Sequence, residues 1–161
     1  MDAQLFLHAA ATGDVSAIQQ AYLKSTAILT ARDPTGRTAL HLAVLNGHLA
    51  AVERLLDYGI SPCLTDHNGQ TALYLAAQLS SATIAETLFK RGATCCTQDA
   101  DGKTPLFYAY QNHCIDVVSC FLKSTAACAM DTQCSLTPQI VLKARANRKW
   151  TPLHAVRLHG P

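Results

Sequence analysis

The stretch Asp33-Pro34-Thr35-Gly36-Arg37-Thr38-Ala39-Leu40 decides the fold. It returns as Asp66-His67-Asn68-Gly69-Gln70-Thr71-Ala72-Leu73, and again as Asp99-Ala100-Asp101-Gly102-Lys103-Thr104-Pro105-Leu106. The Asp, Gly, Thr and Leu are each displaced by 33 residues from copy to copy. A fixed period of that size marks a repeat solenoid, one small unit stacked several times.

Residues 33–65 read as turn, helix, turn, helix, link. Asp33 to Gly36 is a turn, with Pro34 presetting φ and Gly36 free to take φ > 0. Thr38 is a helix N-cap whose hydroxyl can accept from an orphan N–H. Position 39 is then the first helical residue. The third copy puts Pro105 there, where the missing N–H costs nothing. Leu40, Ala43 and Val44 form one apolar face, and Gly47 ends the helix. A second helix starts near Leu49, buries Val52, Leu55 and Leu56, and stops at Gly59. Helices this short are marginal alone in water, so each must bury its face on a neighbour. The recurring Ala43, Ala76 and Ala109 mark the places where neighbouring helices approach closely.

These signatures resemble the ankyrin repeat. Thr38-Ala39-Leu40-His41-Leu42-Ala43, Thr71-Ala72-Leu73-Tyr74-Leu75-Ala76 and Thr104-Pro105-Leu106-Phe107-Tyr108-Ala109 are similar to its T-P-L-H-x-A motif, and Thr151-Pro152-Leu153-His154 matches it once more. The resemblance implies an all-α ankyrin-repeat solenoid of helix-turn-helix units joined by short hairpin-like turns. The expected units are a capping repeat over 1–32, repeats over 33–65, 66–98 and 99–131, and a degenerate, truncated repeat over 132–161. In the last of these the 33-residue phase places Leu136-Thr137-Pro138, but Gln139 stands at the core Leu position and Leu142 at the Ala position. A sound signature restarts only at Thr151. The expectation is a truncated product of a longer ankyrin protein. His41 and His154 are expected to make structural hydrogen bonds. Tyr74 and Phe107 replace that His, so their junctions are expected to lean on apolar packing. Ser80 and His113 replace the helix-closing Gly47, and Thr125 replaces the stopping glycine of Gly59 and Gly92. Stability is therefore expected to fall toward the C-terminal half.

The composition fits a folded domain rather than a disordered tail, with 49% apolar and 15% charged residues. No uninterrupted run of ~18 apolar residues suggests a membrane helix. Met1-Asp2-Ala3-Gln4 lacks the basic start of a secretory signal, and 7 Cys at irregular spacing suit a reducing compartment. The expected location is cytoplasmic or nuclear. All 11 Asp and Glu precede residue 132, whereas five of the 13 Lys and Arg (Lys143, Arg145, Arg148, Lys149, Arg157) follow it. That basic tail reads as a solvated end and not as a nucleic-acid site, since Trp150 is the one aromatic there to stack on bases.

No catalytic constellation emerges. The repeated Asp33, Asp66 and Asp99 are turn-formers, and the glycines are isolated turn residues with no phosphate loop among them. No C-x-x-C pair suggests a metal, and no cofactor is expected. Cys63 and Cys96 lie one unit apart, too far for a bridge if units stack ~8–10 Å apart. Cys114 and Cys120 read as one helix with the thiols on different faces, and Cys128 and Cys134 as the more reactive pair.

The expected function is a protein–protein interaction module with no enzymatic activity. The family resemblance implies that hairpin tips and the face of the first helices hold the partner. The candidate contacts are Arg37, Gln70 and Lys103 at the tips, and Leu45, Asn46, Gln78, Leu79, Tyr110, Gln111 and Asn112 on the helices. A monomer is expected. The alternative readings are an adaptor of a larger complex (ubiquitin ligase, kinase or phosphatase) and a cysteine-based redox or metal sensor.

Overall fold

The computed structural model describes residues 3–94 and 97–128, with 122–128 described as backbone alone. The in-phase segment 132–138, the Thr151 signature, Trp150, the basic tail, Cys95, Cys96, Cys134 and the Cys128 thiol therefore lie outside the described residues. The described chain forms eight α-helices: α1 (Ala3–Thr12), α2 (Val15–Lys24), α3 (Ala39–Leu45), α4 (Leu49–Asp57), α5 (Ala72–Gln78), α6 (Ala82–Lys90), α7 (Pro105–Gln111) and α8 (Ile115–Cys128). A 3-10 turn, Thr26–Thr30, follows α2. The fold is an all-α repeat solenoid.

Each odd-numbered helix packs on the even-numbered helix that follows it, and the two kinds form separate rows. In the first row α1, α3, α5 and α7 lie side by side, and in the second α2, α4, α6 and α8. Ala43, Ala76 and Ala109 are all fully buried along the first row, where a methyl is all the space allows. Larger apolar side chains fill the gap between rows: Phe6, Ile18, Leu40, Leu55, Leu73, Leu88 and Phe121. Burying one such side chain is worth roughly 1.5–3 kcal/mol. Truncating Leu55 or Leu88 to Ala would cost about 2–5 kcal/mol, because the hole cannot collapse fully.

The hairpins are built as their sequence suggests. Asp33 Oδ1 accepts from the Thr35 and Arg37 N–H groups at 2.8 Å each, and from the Thr35 hydroxyl. Asp66 Oδ1 serves Asn68 and Gln70 in the same way, and Asp99 Oδ1 serves Asp101 and Lys103. Isolated antiparallel bridges, Arg32 with Thr38 and Thr65 with Thr71, close the base of the first two hairpins. The hairpins also bond to one another. The His67 N–H donates to the Thr35 carbonyl at 3.1 Å, and the Ala100 N–H to the Asn68 carbonyl at 2.9 Å. Gly36 is required where they meet, since at φ +81 a Cβ there would lie 2.4 Å from the His67 ring.

Two helix ends depart from the repeat. Gly13 and Gly47 close α1 and α3 at φ 75 and 74, and at the same place Ser80 and His113 hold φ 58 and 56. Both residues are forced into the left-handed region, where a Cβ crowds its own backbone. The second departure is length. Helices α4 and α6 run 9 residues each and give way to Gly59 and Gly92, both at φ 89. Helix α8 runs 14 residues, straight through Thr125, because no glycine offers the chain a left-handed exit.

The strain at His113 should be recoverable. His113 is exposed, and His113→Gly is expected to raise stability by about 0.5–1 kcal/mol, the left-handed cost less the added freedom of the unfolded chain. Urea unfolding measures it. A variant less stable than the parent would show that His113 is not strained.

Candidate partner-binding surface

Nine of the ten candidate residues fall into three columns that climb the stack one unit at a time. Arg37, Gln70 and Lys103 form the tip column. Leu45, Gln78 and Gln111 form a second, and Asn46, Leu79 and Asn112 a third, at the C-terminal ends of α3, α5 and α7. Tyr110 stands apart. It shares its register with Val44 and Ala77, which are fully buried between units, and is itself half-buried.

The helix-end columns are open. Asn46, Gln78, Gln111 and Asn112 are exposed, Leu45 is half-buried, and Leu79 is 45% exposed although apolar. Asn46 Nδ2 donates to the Leu42 carbonyl at 2.9 Å and so caps its own helix. Asn112 Nδ2 reaches back to the Gln78 carbonyl at 3.0 Å and ties two units together. The amides are thereby held in place, while most of their surface faces outward.

The tip column is occupied by the protein itself. Arg37 Nε lies 3.7 Å from Asp66 Oδ2, a carboxylate oxygen that is 1% exposed. The Gln70 side chain bonds Asp99 in the same sense. Lys103 has Thr132 at the corresponding place, so no carboxylate follows it. Its ammonium turns to Asp101 at 3.2 Å instead, and sits 5.7 and 5.9 Å from the ring centres of Phe107 and Tyr108. The tips thus hold neighbouring hairpins in register.

The signature histidine does this from within. His41 Nδ1 lies 3.2 Å from the Thr38 N–H and 2.9 Å from its hydroxyl, while Nε2 lies 3.1 Å from the Gln70 carbonyl. A backbone N–H can only donate and a carbonyl can only accept, so Nδ1 is bare and Nε2 carries the proton. One neutral ring therefore bridges its own hairpin and the next. Burial holds its pKa below the ordinary 6.5, outweighing the Gln70 carbonyl and the Asp66 charge.

Tyr74 overturns the expectation of a junction leaning on apolar packing. Its hydroxyl lies 2.6 Å from the Lys103 carbonyl, the equivalent of Gln70, and 2.5 Å from that of Thr97. The longer phenol keeps the bond to the next unit and shares one proton between two carbonyls. What it loses is the near side. A tyrosine ring has no counterpart of Nδ1, and Thr71 Oγ1 is left buried with no hydrogen-bond partner. The hydroxyl N-cap that the sequence suggests is thus absent at α5. Burial raises the Tyr74 pKa well above the ordinary range.

Tyr108 adds a bond that the sequence reading missed: its hydroxyl donates to Asp99 Oδ2 at 2.7 Å. Burial, and then the bond to that carboxylate, push the Tyr108 pKa up to about 12. For Asp99 itself burial pulls upward but is outweighed by the bonds from Tyr108, Lys103 and Asp101, so its pKa is lowered. Asp33 is lowered in the same way by Thr35 and Arg37 against its burial.

Among the described residues no group of three His, Cys, Asp or Glu is gathered for a metal ion. No described helix is long and apolar enough to cross a membrane. Cys63, Cys114 and Cys120 are free thiols. Cys114 is not on a helix with Cys120 as expected; it precedes α8 and is buried against the Ser80 hydroxyl.

A family model described as ankyrin repeats (3 copies) matches residues 5–99 and 64–131. The chain belongs to the ankyrin repeat family. Its members are generally protein–protein interaction modules and typically lack catalysis of their own. No curated relative matches the chain.

The threonines at the two junctions should respond oppositely. Thr38→Val breaks the contact with His41 and is expected to cost about 1 kcal/mol, while Thr71→Val removes an orphaned hydroxyl and should be neutral or stabilising. Equal losses in urea melts would contradict the assignment. A second consequence concerns pH. The lowered His41 pKa means that the unfolded chain takes up the proton first. Stability should therefore be full above pH 6.5 and decline as pH falls toward the folded value. Asp33 and Asp99, lowered from 3.8, should add a further loss as pH falls through their folded values. His41→Gln should flatten the upper decline and leave the lower one. A wild-type stability constant between pH 7.5 and 5 would contradict it.

Proposed function

We propose that this chain holds a protein partner on the face presented by its first helices, through Leu45, Asn46, Gln78, Leu79, Gln111 and Asn112. Arg37, Gln70 and Lys103 border that face and keep its units in register. One observation carries the reading: α1, α3, α5 and α7 contain no Asp, Glu, Lys or Arg. The formal charges of the described chain sit on the second helices, the hairpins and the links.

A neutral face of amides and leucines has a definite chemistry. Covering it strips no charge of its water, which is the costly part of many interfaces. Leu45 and Leu79 offer apolar area, and the four amides offer donors and acceptors that suit main-chain peptide groups or neutral polar side chains. The partner segment that fits is uncharged and mixed apolar–polar. Docking there should depend only weakly on ionic strength, since long-range charge attraction supplies little of it.

Affinity capture from cell lysate, comparing wild type with Leu79→Glu/Gln111→Glu, tests the reading. A protein retained by wild type at both low and high salt, and lost with the double variant, is the expected result. Both substituted side chains are exposed, so the fold should survive, and circular dichroism checks that. Identical recovery by both baits would remove the first-helix face from consideration.

A further inference from the structure

Four columns of the stack are closed in the middle of the molecule and half-open at α7 and α8. Leu40 and Leu73 are buried, and Leu106 is half-buried. His41 and Tyr74 are buried, and Phe107 is half-buried. The same change separates Val44 and Ala77 from Tyr110, and Val52 and Ala85 from Val118. In α3–α6 these side chains are closed off by the helix pair that follows. The α7–α8 pair thus presents an incompletely covered stacking face.

That face differs chemically from the two before it. His41 and Tyr74 each donate to a carbonyl of the next hairpin, that of Gln70 or Lys103. Phe107 has no donor to offer. Arg37 and Gln70 each bond the Asp that opens the next hairpin, and Lys103 has no such Asp ahead of it in phase, because Thr132 stands there. The in-phase continuation is a poor match in a third respect, since Gln139 falls in the column of Leu40, Leu73 and Leu106. An occupant of this face must instead bring an aliphatic residue to the Leu column and an apolar residue opposite Phe107.

Residues 150–156 meet both requirements. In Trp150-Thr151-Pro152-Leu153-His154-Ala155-Val156, Thr151 aligns with Thr104, which puts Leu153 in the leucine column and Ala155 next to the small-residue column. Trp150 takes the place of Gln70 and Lys103, the residues whose carbonyls receive the bonds from His41 and Tyr74. Where the receiving face exchanges a donor for a phenyl ring, the incoming segment exchanges a polar tip for an indole. We infer that the Trp150–Val156 segment of this same chain seats on the α7–α8 face, out of the 33-residue phase, with its indole against Phe107. The segment 129–150 then serves as an insertion that passes by the face. Extended chain of that length spans roughly 70 Å, far more than the ~10 Å from one stacked helix to the next.

The chain's single tryptophan makes the test direct. Seated, Trp150 should fluoresce blue of free indole and be quenched by acrylamide several-fold more slowly. Phe107→Glu on the face and Leu153→Asp on the segment should each shift emission red and raise quenching to the free-indole value, while Gln139→Asp should change neither. Far-UV circular dichroism checks that α1–α8 persist, and Leu153→Asp keeps the test decisive if Phe107→Glu weakens the fold. Wild-type emission like that of free indole would overturn the inference. So would release by Gln139→Asp but not by Leu153→Asp, which would award the face to the in-phase segment. A blue shift that vanishes on dilution, together with a dimer in sedimentation, would assign the face to a second copy.

Discussion

Helices of seven residues set the terms for everything else in this molecule. The nucleation cost of a helix is recovered only over several turns, so α3, α5 and α7 cannot persist alone. Each exists because its apolar side is sealed by the helices on either side. This explains why small residues line the first row and why the larger side chains sit between rows. It also explains why one buried group, at the position of His41 and Tyr74, reaches across to the next hairpin. Stacking and hydrogen bonding act at the same junction, and neither would hold its geometry without the other.

The junctions are unequal, and the differences follow from the side chains. An imidazole supplies a bare nitrogen on one side and an N–H on the other, and so serves two hairpins at once. A phenol serves only the far hairpin and leaves Thr71 Oγ1 unsatisfied. A phenyl ring serves neither. Read along the chain, His41, Tyr74 and Phe107 describe a graded loss of polar cross-linking toward α8. Ser80 and His113, both in left-handed backbone, add strain in the same direction. The charge pattern is graded in another sense: the second helices and hairpins carry the charges, and the first helices stay neutral. One side of the stack is thereby kept soluble while the other remains apolar and amide-rich.

Much of this was legible in the sequence because it is local. Asp33, Asp66 and Asp99 bond N–H groups two and four residues on, which turn chemistry alone suggests. Pro105 at the first helical position and the glycines at 47 and 59 obey local backbone rules. The tips were harder to read. Arg37 looks like a free hot-spot residue in a list of residue types, yet it faces Asp66. Tyr110 looks like surface, yet its register is that of buried Val44 and Ala77. The signal was present as a spacing of 29 residues, which joins 37 to 66, 41 to 70, 70 to 99 and 74 to 103. Without a stacked geometry nothing gives that number a meaning.

The sequence by itself determined the period, the family, the turns, the order of helices and the residues each must bury, because these depend on backbone propensities and on apolar spacing within a few residues. Only the tertiary structure decided which polar side chains are spent inside the protein and which remain for a partner. That division rests on atoms about one repeat apart in the chain and 2.6–3.7 Å apart in space. A contact of that kind exists only after the units have stacked, so residue type could not disclose it.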